Sequence, residues 1–180
     1  MNVTPLAIPD VLLIEPKVFG DARGFFLETW QARDYAAAGI DLRFVQDNHS
    51  RSGRGILRGL HYQLVKPQGK LVRVVTGEVF DVAVDMRRHS PSFGRWVGAR
   101  LSEDNKHQLW VPPGFAHGFY VLSDSADFIY KCTEFYSPQD ERSLRWNDPD
   151  LAIDWPTSGE PLLAKKDAEA PFFRDAEAYP

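Results

Sequence analysis

Residues 56–85, ILRGLHYQLVKPQGKLVRVVTGEVFDVAVD, decide the fold. Apolar and β-branched residues recur there in short runs between turn residues, which indicates strands at 56–63, 70–75 and 78–85. The dipeptide Thr76-Gly77 predicts a tight hairpin turn between the last two strands. Strict alternation in the last strand assigns its side chains to two faces, one with Phe80, Val82 and Val84 and the other with Val79, Asp81, Ala83 and Asp85.

The rest of the chain continues this pattern of short strands. Gly20 and Asp21 predict a turn, a single short helix is predicted at 31–38 before Gly39, and residues 49–55 read as a polar loop. Further strands are predicted at 11–14, 23–28, 44–48, 96–101, 107–111, 116–122, 128–135 and 142–146. Short strands at this spacing predict an all-β fold, a sandwich or barrel with a few short helices.

Composition limits the classes of function. A length of 180 residues favours one domain spanning 1–180, with the segment from about 147 to 180 packed over it because its aromatic residues need burial. A net charge of −4 argues against a nucleic-acid partner. No apolar run approaches the length of a membrane span and no basic leader is present, so neither a membrane partner nor a targeting signal is expected. The lone Cys132 excludes a disulfide framework and suits a reducing cytoplasm.

His61 and its neighbours carry the first candidate chemistry. An imidazole titrates near neutrality and suits a general base, while Arg58 and Lys70 offer cations that stabilise an anion formed beside it. The plainer interpretation is that His61 is a hydrogen-bonded histidine of a strand and that Arg58 and Lys70 are solvated surface charges. Asp81 and Asp85 could pair with a cation or orient a histidine.

A second polar cluster, Pro112-Pro-Gly-Phe-Ala-His117, is interpreted as the other half of the same pocket. Its form is that of the second motif of cupin barrels. Metal-binding cupins supply His-x-His in their first motif, but the matching segment here reads His61-Tyr62-Gln63, so the ligand set is incomplete and no metal is expected.

Tyr130 and Cys132 alternate on a late predicted strand. A tyrosine in a β-core is usually a packing residue, whereas a hydroxyl group that points into a pocket can donate a proton. Cys132 is most simply a small buried hydrophobe. Both interpretations of Tyr130 stay open on pattern alone.

With these residues in view, the chain resembles the dTDP-4-dehydrorhamnose 3,5-epimerase family along nearly its whole length. The matching segments are Gly20-Asp-x-Arg-Gly-Phe-Phe-x-Glu28, Gln46-Asp-Asn-His-Ser50, Leu57-Arg-Gly-Leu-His-Tyr-Gln63, Pro67-Gln-Gly-Lys-Leu-Val-Arg73, Gly77-Glu-Val-Phe-Asp-Val-Ala-Val-Asp85, Pro112-Pro-Gly-Phe-Ala-His-Gly-Phe119, Tyr130-Lys-Cys-Thr-x-x-Tyr136, Arg145-Trp-Asn-Asp-Pro149 and Lys165-Lys-Asp167. The resemblance implies a metal-free, cupin-type jelly roll, and a homodimer whose N-terminal strands pair across subunits. It also implies an isomerase that needs no cofactor and takes dTDP-4-dehydro-6-deoxy-D-glucose as its substrate.

The same resemblance implies a role for individual residues. His61 corresponds to the family's base, oriented by a carboxylate that maps to Asp167, and Tyr130 corresponds to its acid. Lys70 matches the residue near the C4 oxygen, where it stabilises an enolate. Positions implied to hold the nucleotide or the sugar are Arg23, Glu28, Gln46, Asp47, Asn48, Arg58, His117, Tyr136, Glu141 and Lys166.

Three other functions compete with the double epimerase. A related epimerase that inverts only C3 or only C5 is one, although the presence of Tyr130 favours the double reaction. A cupin module that binds a sugar nucleotide without turnover is another, and it predicts loss of His61, Tyr130 or Lys70, all of which are present. A metal-dependent cupin oxygenase is the third, and the missing second histidine of the first motif argues against it.

Overall fold

Strands dominate the computed structural model, which describes residues 1–157 and 159–180. The helical elements of this part of the chain are α1 (Ala32–Ala37), α2 (Lys165–Ala168) and a 3₁₀ turn at Phe173–Asp175. In chain order the strands are β1 (Asn2–Pro5), β2 (Leu12–Glu15), β3 (Val18–Asp21), β4 (Gly24–Leu27), β5 (Gln46–Gly53), β6 (Leu57–Gln63), β7 (Lys70–Thr76), β8 (Glu78–Asp85), β9 (Trp96–Ser102), β10 (Gln108–Val111), β11 (Phe115–Val121), β12 (Ser125–Cys132) and β13 (Glu141–Ser143). The predicted all-β class with a few short helices is confirmed.

Two antiparallel sheets form the body of the protein. The large sheet has six strands in the order β1-β2-β10-β7-β12-β5, and the small sheet has five in the order β13-β6-β11-β8-β9. Strands β3 and β4 form a separate hairpin. Most neighbouring strands are far apart in the sequence, as β7 and β12 are, so residues from distant segments meet in the space between the sheets.

The main core lies between the two sheets, and β8 shows how the sequence builds it. Val79 and Ala83 of β8 belong to the apolar cluster that also contains Val72 and Phe128 of the large sheet. Val82 and Val84, from the opposite face of β8, belong to a second cluster on the outer side of the small sheet. The alternation predicted for this strand is therefore confirmed.

The C-terminal residues cover the outer side of the small sheet. Leu151, Trp155 and Tyr179 are buried in the second cluster, packed with Leu57 and Val82 of the small sheet. The indole of Trp155 also donates to the carbonyl of Trp146 at 2.8 Å. Within the described residues, no helix has the length and apolar character that a bilayer crossing requires.

Two local predictions are wrong. Residues 49–53 are not a loop but part of β5, because each residue from Gln46 to Gly53 pairs with β12 and the polar side chains alternate between the pocket and the outer face. Gly20 and Asp21 are not a turn but the end of β3, since Asp21 pairs with Gly24 and the turn falls on the two residues between them. Gly24 adopts a φ of 126°, a region that favours glycine, where the chain reverses.

Candidate active site

A cavity of about 640 Å³ opens between the two sheets. It is large enough for a sugar nucleotide to enter at least in part, and its walls mix polar and aromatic side chains. The side chains from the predicted site that line it are Gln46, Asn48, Arg58, His61, Lys70, His117, Tyr130, Tyr136, Glu141, Lys166 and Asp167. The structure thus gathers residues from both predicted clusters into one pocket.

His61 stands on β6 with a buried carboxylate behind it. Its Nε2 lies 2.6 Å from Oδ1 of Asp167, a residue carried by α2, and the Asp167 side chain is only 3% exposed. The backbone N–H of Gly59 donates to the other carboxylate oxygen at 3.3 Å. A carboxylate only accepts, so the Nε2–H of His61 donates to it and leaves Nδ1 free to take a proton.

A second imidazole–carboxylate pair lies beside the first. His117 is paired with His61 in register across β6 and β11, and its Nε2 lies 2.9 and 3.0 Å from the two oxygens of Asp81. Burial raises the pKa of Asp81, while His117 and Lys70 oppose part of that shift. The interior of the pocket therefore holds two histidines, each oriented by its own aspartate.

Lys70 begins β7 and contributes the cation of the pocket interior. Burial lowers the pKa of its ammonium group, and Cys132, Asp81 and Glu141 act in the opposite direction. Cys132 lies directly opposite Lys70 in the β7–β12 register. A desolvated ammonium group with a lowered pKa is a stronger hydrogen-bond donor to an oxyanion than a solvated one.

Tyr130 projects from β12, on the opposite sheet from His61. Burial raises the pKa of its phenol to about 12, although Arg58 counteracts part of the shift. The phenol therefore keeps its proton at neutral pH and is available as a donor. The ring also packs against Phe128 at a centroid distance of 5.9 Å, so the hydroxyl is held by a rigid aromatic support.

The rim of the pocket is tied together by hydrogen bonds among the predicted binding residues. The Gln46 side chain donates to Asn48 at 3.1 Å and accepts from the backbone N–H of Tyr136 at 2.9 Å. The Tyr136 hydroxyl donates to Glu141 at 3.2 Å, and Lys166 contacts both oxygens of the same carboxylate at 3.0 Å. These contacts tie the rim residues to one another.

Three of the predicted binding residues lie outside the pocket of the single chain. Asp47 follows Gln46 on β5, so alternation turns it to the outer face, where it pairs with Lys131 at 2.9 Å. Arg23 lies in the turn between β3 and β4, bonds Asp21 and is 90% exposed. Glu28 follows the same hairpin, which stands apart from both sheets.

Sequence reasoning missed Ser52, a buried residue of β5. Its Oγ accepts a hydrogen bond of 2.8 Å from Nε of Arg58, which leaves the two terminal nitrogens of the guanidinium for a ligand. Alternation was the available signal, because Ser52 shares a face with Asn48 and Ser50, which line the pocket.

Gln63 occupies the position where metal-binding cupins place the second histidine of their first motif. Its side chain donates to the carbonyls of Lys66 and Phe135 and accepts from the backbone N–H of Ser137. These bonds hold two loops at the pocket instead of facing an ion. Across 1–157 and 159–180, no group of three or more His, Cys, Asp or Glu side chains has an arrangement that could hold a metal ion.

A sandwich of two antiparallel sheets around a polar pocket is typical of cupin-type proteins. Comparison with known proteins is more specific. The family model described as dTDP-4-dehydrorhamnose 3,5-epimerase matches residues 5–175. The dTDP-4-dehydrorhamnose 3,5-epimerase of Pseudomonas aeruginosa is 60% identical over 181 residues, covering 100% of both chains. The chain belongs to the dTDP-4-dehydrorhamnose 3,5-epimerase family.

Solved structures agree with this assignment. The dTDP-6-deoxy-D-glucose-3,5-epimerase of Legionella pneumophila, in complex with dTDP-4-keto-L-rhamnose, is 56% identical with a TM-score of 0.96, covering 98% of this chain and 94% of its own. ChmJ, a 3'-monoepimerase from Streptomyces bikiniensis in complex with dTDP-quinovose, is 37% identical with a TM-score of 0.88, covering 93% of this chain and 86% of its own. The predicted family, cupin-type jelly roll and isomerase class are confirmed.

Proposed function

We propose that this protein converts dTDP-4-dehydro-6-deoxy-D-glucose to dTDP-4-dehydro-L-rhamnose by inverting C3 and C5. One observation carries the proposal. His61 stands on the small sheet and Tyr130 on the large sheet, with the pocket between them. A sugar ring lying in that pocket has a base on one face and an acid on the other, which is what inversion of a carbon centre requires.

His61 acts as the base. The C4 ketone of the substrate acidifies the protons on the neighbouring carbons C3 and C5. Nδ1 of His61 removes such a proton, and the Asp167 carboxylate, 2.6 Å from Nε2, stabilises the imidazolium that forms. The same carboxylate fixes the tautomer, since it can only accept from Nε2.

Lys70 stabilises the enolate. Loss of the carbon-bound proton moves negative charge onto the C4 oxygen, and a preorganised cation in a water-poor site favours that charge strongly. The ammonium group of Lys70 is desolvated in the pocket interior, and its pKa is lowered by burial. It donates to the enolate oxygen without leaving its place on β7.

Tyr130 returns a proton to the opposite face. Burial raises the pKa of its phenol to about 12, so the group remains protonated until a carbanion-like carbon takes the proton. Removal at one face and return at the other inverts the centre, and the imidazolium and phenolate then return to their starting states through solvent. The overall reaction is redox-neutral, and the proposal includes no cofactor.

The nucleotide is held by the cations and polar groups of the rim. Arg58, with its Nε fixed by Ser52, presents two terminal nitrogens to the diphosphate, and Lys166 and His117 add further positive or donor groups. Gln46, Asn48, Tyr136 and Glu141 line the remaining wall and contact the nucleoside or the sugar. Asp47 faces away from this wall and plays no part in it.

We further propose a homodimer in which the hairpin β3–β4 completes the pocket of a second copy. The hairpin carries Arg23, is followed directly by Glu28, and exposes Phe19, Phe25 and Phe26 at 51%, 62% and 65%. Exposed aromatic residues at this density favour burial against another surface. The family resemblance implies that Arg23 and Glu28 contact the nucleotide or the sugar, although neither lines the pocket of the single chain.

Subunit complementation tests the dimer. Arg23→Glu and His61→Ala variants are each expected to be inactive, and mixing them under conditions of subunit exchange should restore about a quarter of the wild-type activity. This fraction follows because half of the dimers are mixed and each has one intact site. No recovery despite verified exchange would assign Arg23 to its own subunit or to no site.

The reaction itself is tested by NMR of the substrate in deuterated water with catalytic amounts of protein and a reductase that traps the product. Deuterium at both C3 and C5 with an L-configured product supports the double epimerase. Deuterium at one carbon would place the protein with single epimerases such as its ChmJ neighbour. If no deuterium enters although dTDP binds, the protein is a module that binds a sugar nucleotide without turnover.

Two broader expectations belong to the same proposal. Residues 1–180 act as one domain, supported by the burial of Leu151, Trp155 and Tyr179 against the small sheet. The protein works in the cytoplasm, supported by Cys132, which is free and buried and therefore needs no oxidising compartment. Limited proteolysis and cell fractionation test these expectations.

A further inference from the structure

We propose that Arg145 is a positioning residue that holds the Asp167 carboxylate against His61. The inference rests on the proposed function, in which Asp167 orients the base. Arg145 follows β13 and lies at the edge of the small sheet, outside the pocket lining. It acts on the chain that carries Asp167, not on the substrate.

The two residues that Arg145 helps to hold together are distant in the sequence. His61 and Asp167 are 106 residues apart, yet their contact distance is 2.6 Å. Asp167 lies on α2, a helix of only four residues, whose own backbone gives little rigidity. A proton-transfer site loses about a hundredfold in rate when a group is displaced by ~1 Å, so the segment around α2 must be held from outside.

Arg145 supplies this restraint with two hydrogen bonds. Its Nε donates to the carbonyl of Ala170 at 3.0 Å, and its backbone N–H donates to the carbonyl of Pro171 at 2.9 Å. The guanidinium also lies over the ring of Phe172, 4.6 Å from the centroid. Three consecutive residues, beginning three positions after Asp167, are therefore fixed by one side chain and its backbone.

The other end of this connection is the strand that holds the base. Ser143 of β13 pairs in register with His61 of β6, and Leu144 exchanges backbone hydrogen bonds with Leu60 at 2.9 and 3.3 Å. Arg145 is the next residue. The path from His61 to Asp167 thus crosses the strand pair to Ser143 and Leu144, continues through Arg145 to Ala170, and returns along three residues of chain to Asp167.

Before α2, the segment is held mainly through its backbone, with the side chain of Leu163 packed against the second cluster. Leu162 accepts from the N–H of Leu57 at 3.0 Å and donates to the carbonyl of Gly55 at 2.9 Å. Lys166 contacts Glu141, but both of these side chains are predicted to engage substrate. Arg145 is therefore a side chain that fixes the segment beyond α2 while remaining independent of the ligand, and it acts closer to Asp167 than Asp148 does, which accepts from the N–H of Phe173 at 2.6 Å.

The test compares two substitutions that differ in the group they place where Nε of Arg145 lies. Arg145→Gln keeps an N–H donor at the position of Nε, whereas Arg145→Met places a methyl group there. We expect Arg145→Met to lower kcat roughly ten- to a hundredfold with KM and dTDP affinity within about threefold of wild type, and Arg145→Gln to retain most of kcat. Arg142→Met is the matched control. It removes a contact of 2.7 Å between Nε and Glu177, also in the C-terminal segment but ten positions beyond Asp167, together with bonds of 3.1 Å from Nη1 to the carbonyls of Gln139 and Glu141. The Glu141 side chain keeps its own partners, so kcat should stay unchanged.

A double-mutant cycle separates positioning from general stability. If Arg145 acts through Asp167, Arg145→Met should cause little further loss of kcat in an Asp167→Asn background, whereas independent effects would multiply. Multiplying effects, or an equal loss in Arg142→Met, would overturn the inference. If Arg145→Met does not fold, Phe172→Leu, which removes the support of the guanidinium, should lower kcat by a smaller factor, and an unchanged kcat there would count against the inference.

The same experiment keeps this inference distinct from the proposed function. If Asp167→Asn itself leaves proton exchange intact, the assigned role of Asp167 is wrong and Arg145 has nothing to position. If Asp167→Asn strongly lowers exchange while Arg145→Met leaves it at the wild-type rate, the proposed function stands and only the role of Arg145 is removed.

Discussion

The substitution Asp167→Asn keeps the shape of the side chain that orients His61 and removes its charge. The N–H of Gly59 faces one carboxylate oxygen at 3.3 Å and needs an acceptor. The new amide will therefore present its oxygen to Gly59 and its NH₂ group to Nε2 of His61. Nε2 must then accept, and the ring proton moves to Nδ1, the nitrogen that the proposed mechanism requires as the base.

The expected loss has two parts. A charge-assisted hydrogen bond such as the 2.6 Å contact between His61 and Asp167 is worth about 1.5–3 kcal/mol, which corresponds to about 10- to 150-fold in rate. The inverted tautomer adds to this, because the base must first lose a proton from the wrong nitrogen. The corresponding substitution in a serine-protease triad costs about 10⁴ in kcat, so we expect a fall of about 10²–10⁴ here.

The assay is deuterium incorporation at C3 and C5, followed by NMR, with dTDP affinity measured separately by calorimetry. Both carbons should lose exchange together while dTDP binding stays near its wild-type strength, because Asp167 faces His61 and not the nucleotide. Asp127→Asn is the matched control: Asp127 contacts His49 at 2.9 Å, but neither residue lines the pocket. Exchange above about a tenth of wild type in Asp167→Asn would refute the tautomer argument.

Three further outcomes are expected. Tyr130→Phe should slow net inversion more than proton exchange, because the first deprotonation does not need the acid. NMR gives the ratio of the two rates, and equal losses of both would show that Tyr130 is not the acid. Lys70→Met should lower exchange at both carbons by about 10²–10³ while dTDP affinity is kept, because the enolate loses its cation. Burial raises the pKa of Asp85, but hydrogen bonds from Arg87 and its neighbours more than offset this and bring it to about 2. The stability from this depressed pKa is present above about pH 4 and is lost as the pH falls through about 2, so urea unfolding should show a loss of about 2 kcal/mol over that interval that is smaller in Asp85→Asn.

The sequence predicts the pocket strands because their signals are local. Alternation in β8, the Thr76-Gly77 turn and the spacing of short apolar runs all act within a few residues. The same local rule was available for Asp47, which must point away from the face shared by Gln46 and Asn48. The motif match included Asp47 among its neighbours, and motif matching takes no account of strand faces.

Contacts between distant segments could not be predicted from spacing. The resemblance implies that Asp167 orients the base, but only the folded chain brings its carboxylate to 2.6 Å from His61. Arg145 belongs to a recognised motif, yet its hydrogen bond to Ala170 depends on how the C-terminal segment crosses the small sheet. The hairpin that carries Arg23 illustrates a different limit, because the second copy that we propose to cover its exposed aromatic residues is not encoded in any local pattern of one chain.

The imidazole–carboxylate pairs of this chain show that pairing alone does not make a base. His49, His61 and His117 each lie within hydrogen-bond distance of a buried aspartate. The His49 side chain is 58% exposed on the outer face of the large sheet, and that of His117 is 7% exposed, beside a fully buried Asp81. The His61 side chain, at 25%, has a buried carboxylate at Nε2 and also lines the pocket, across from the sheet that carries Tyr130. A base must be oriented on one side and reachable on the other, and the placement of β6 opposite β12 meets both conditions at His61.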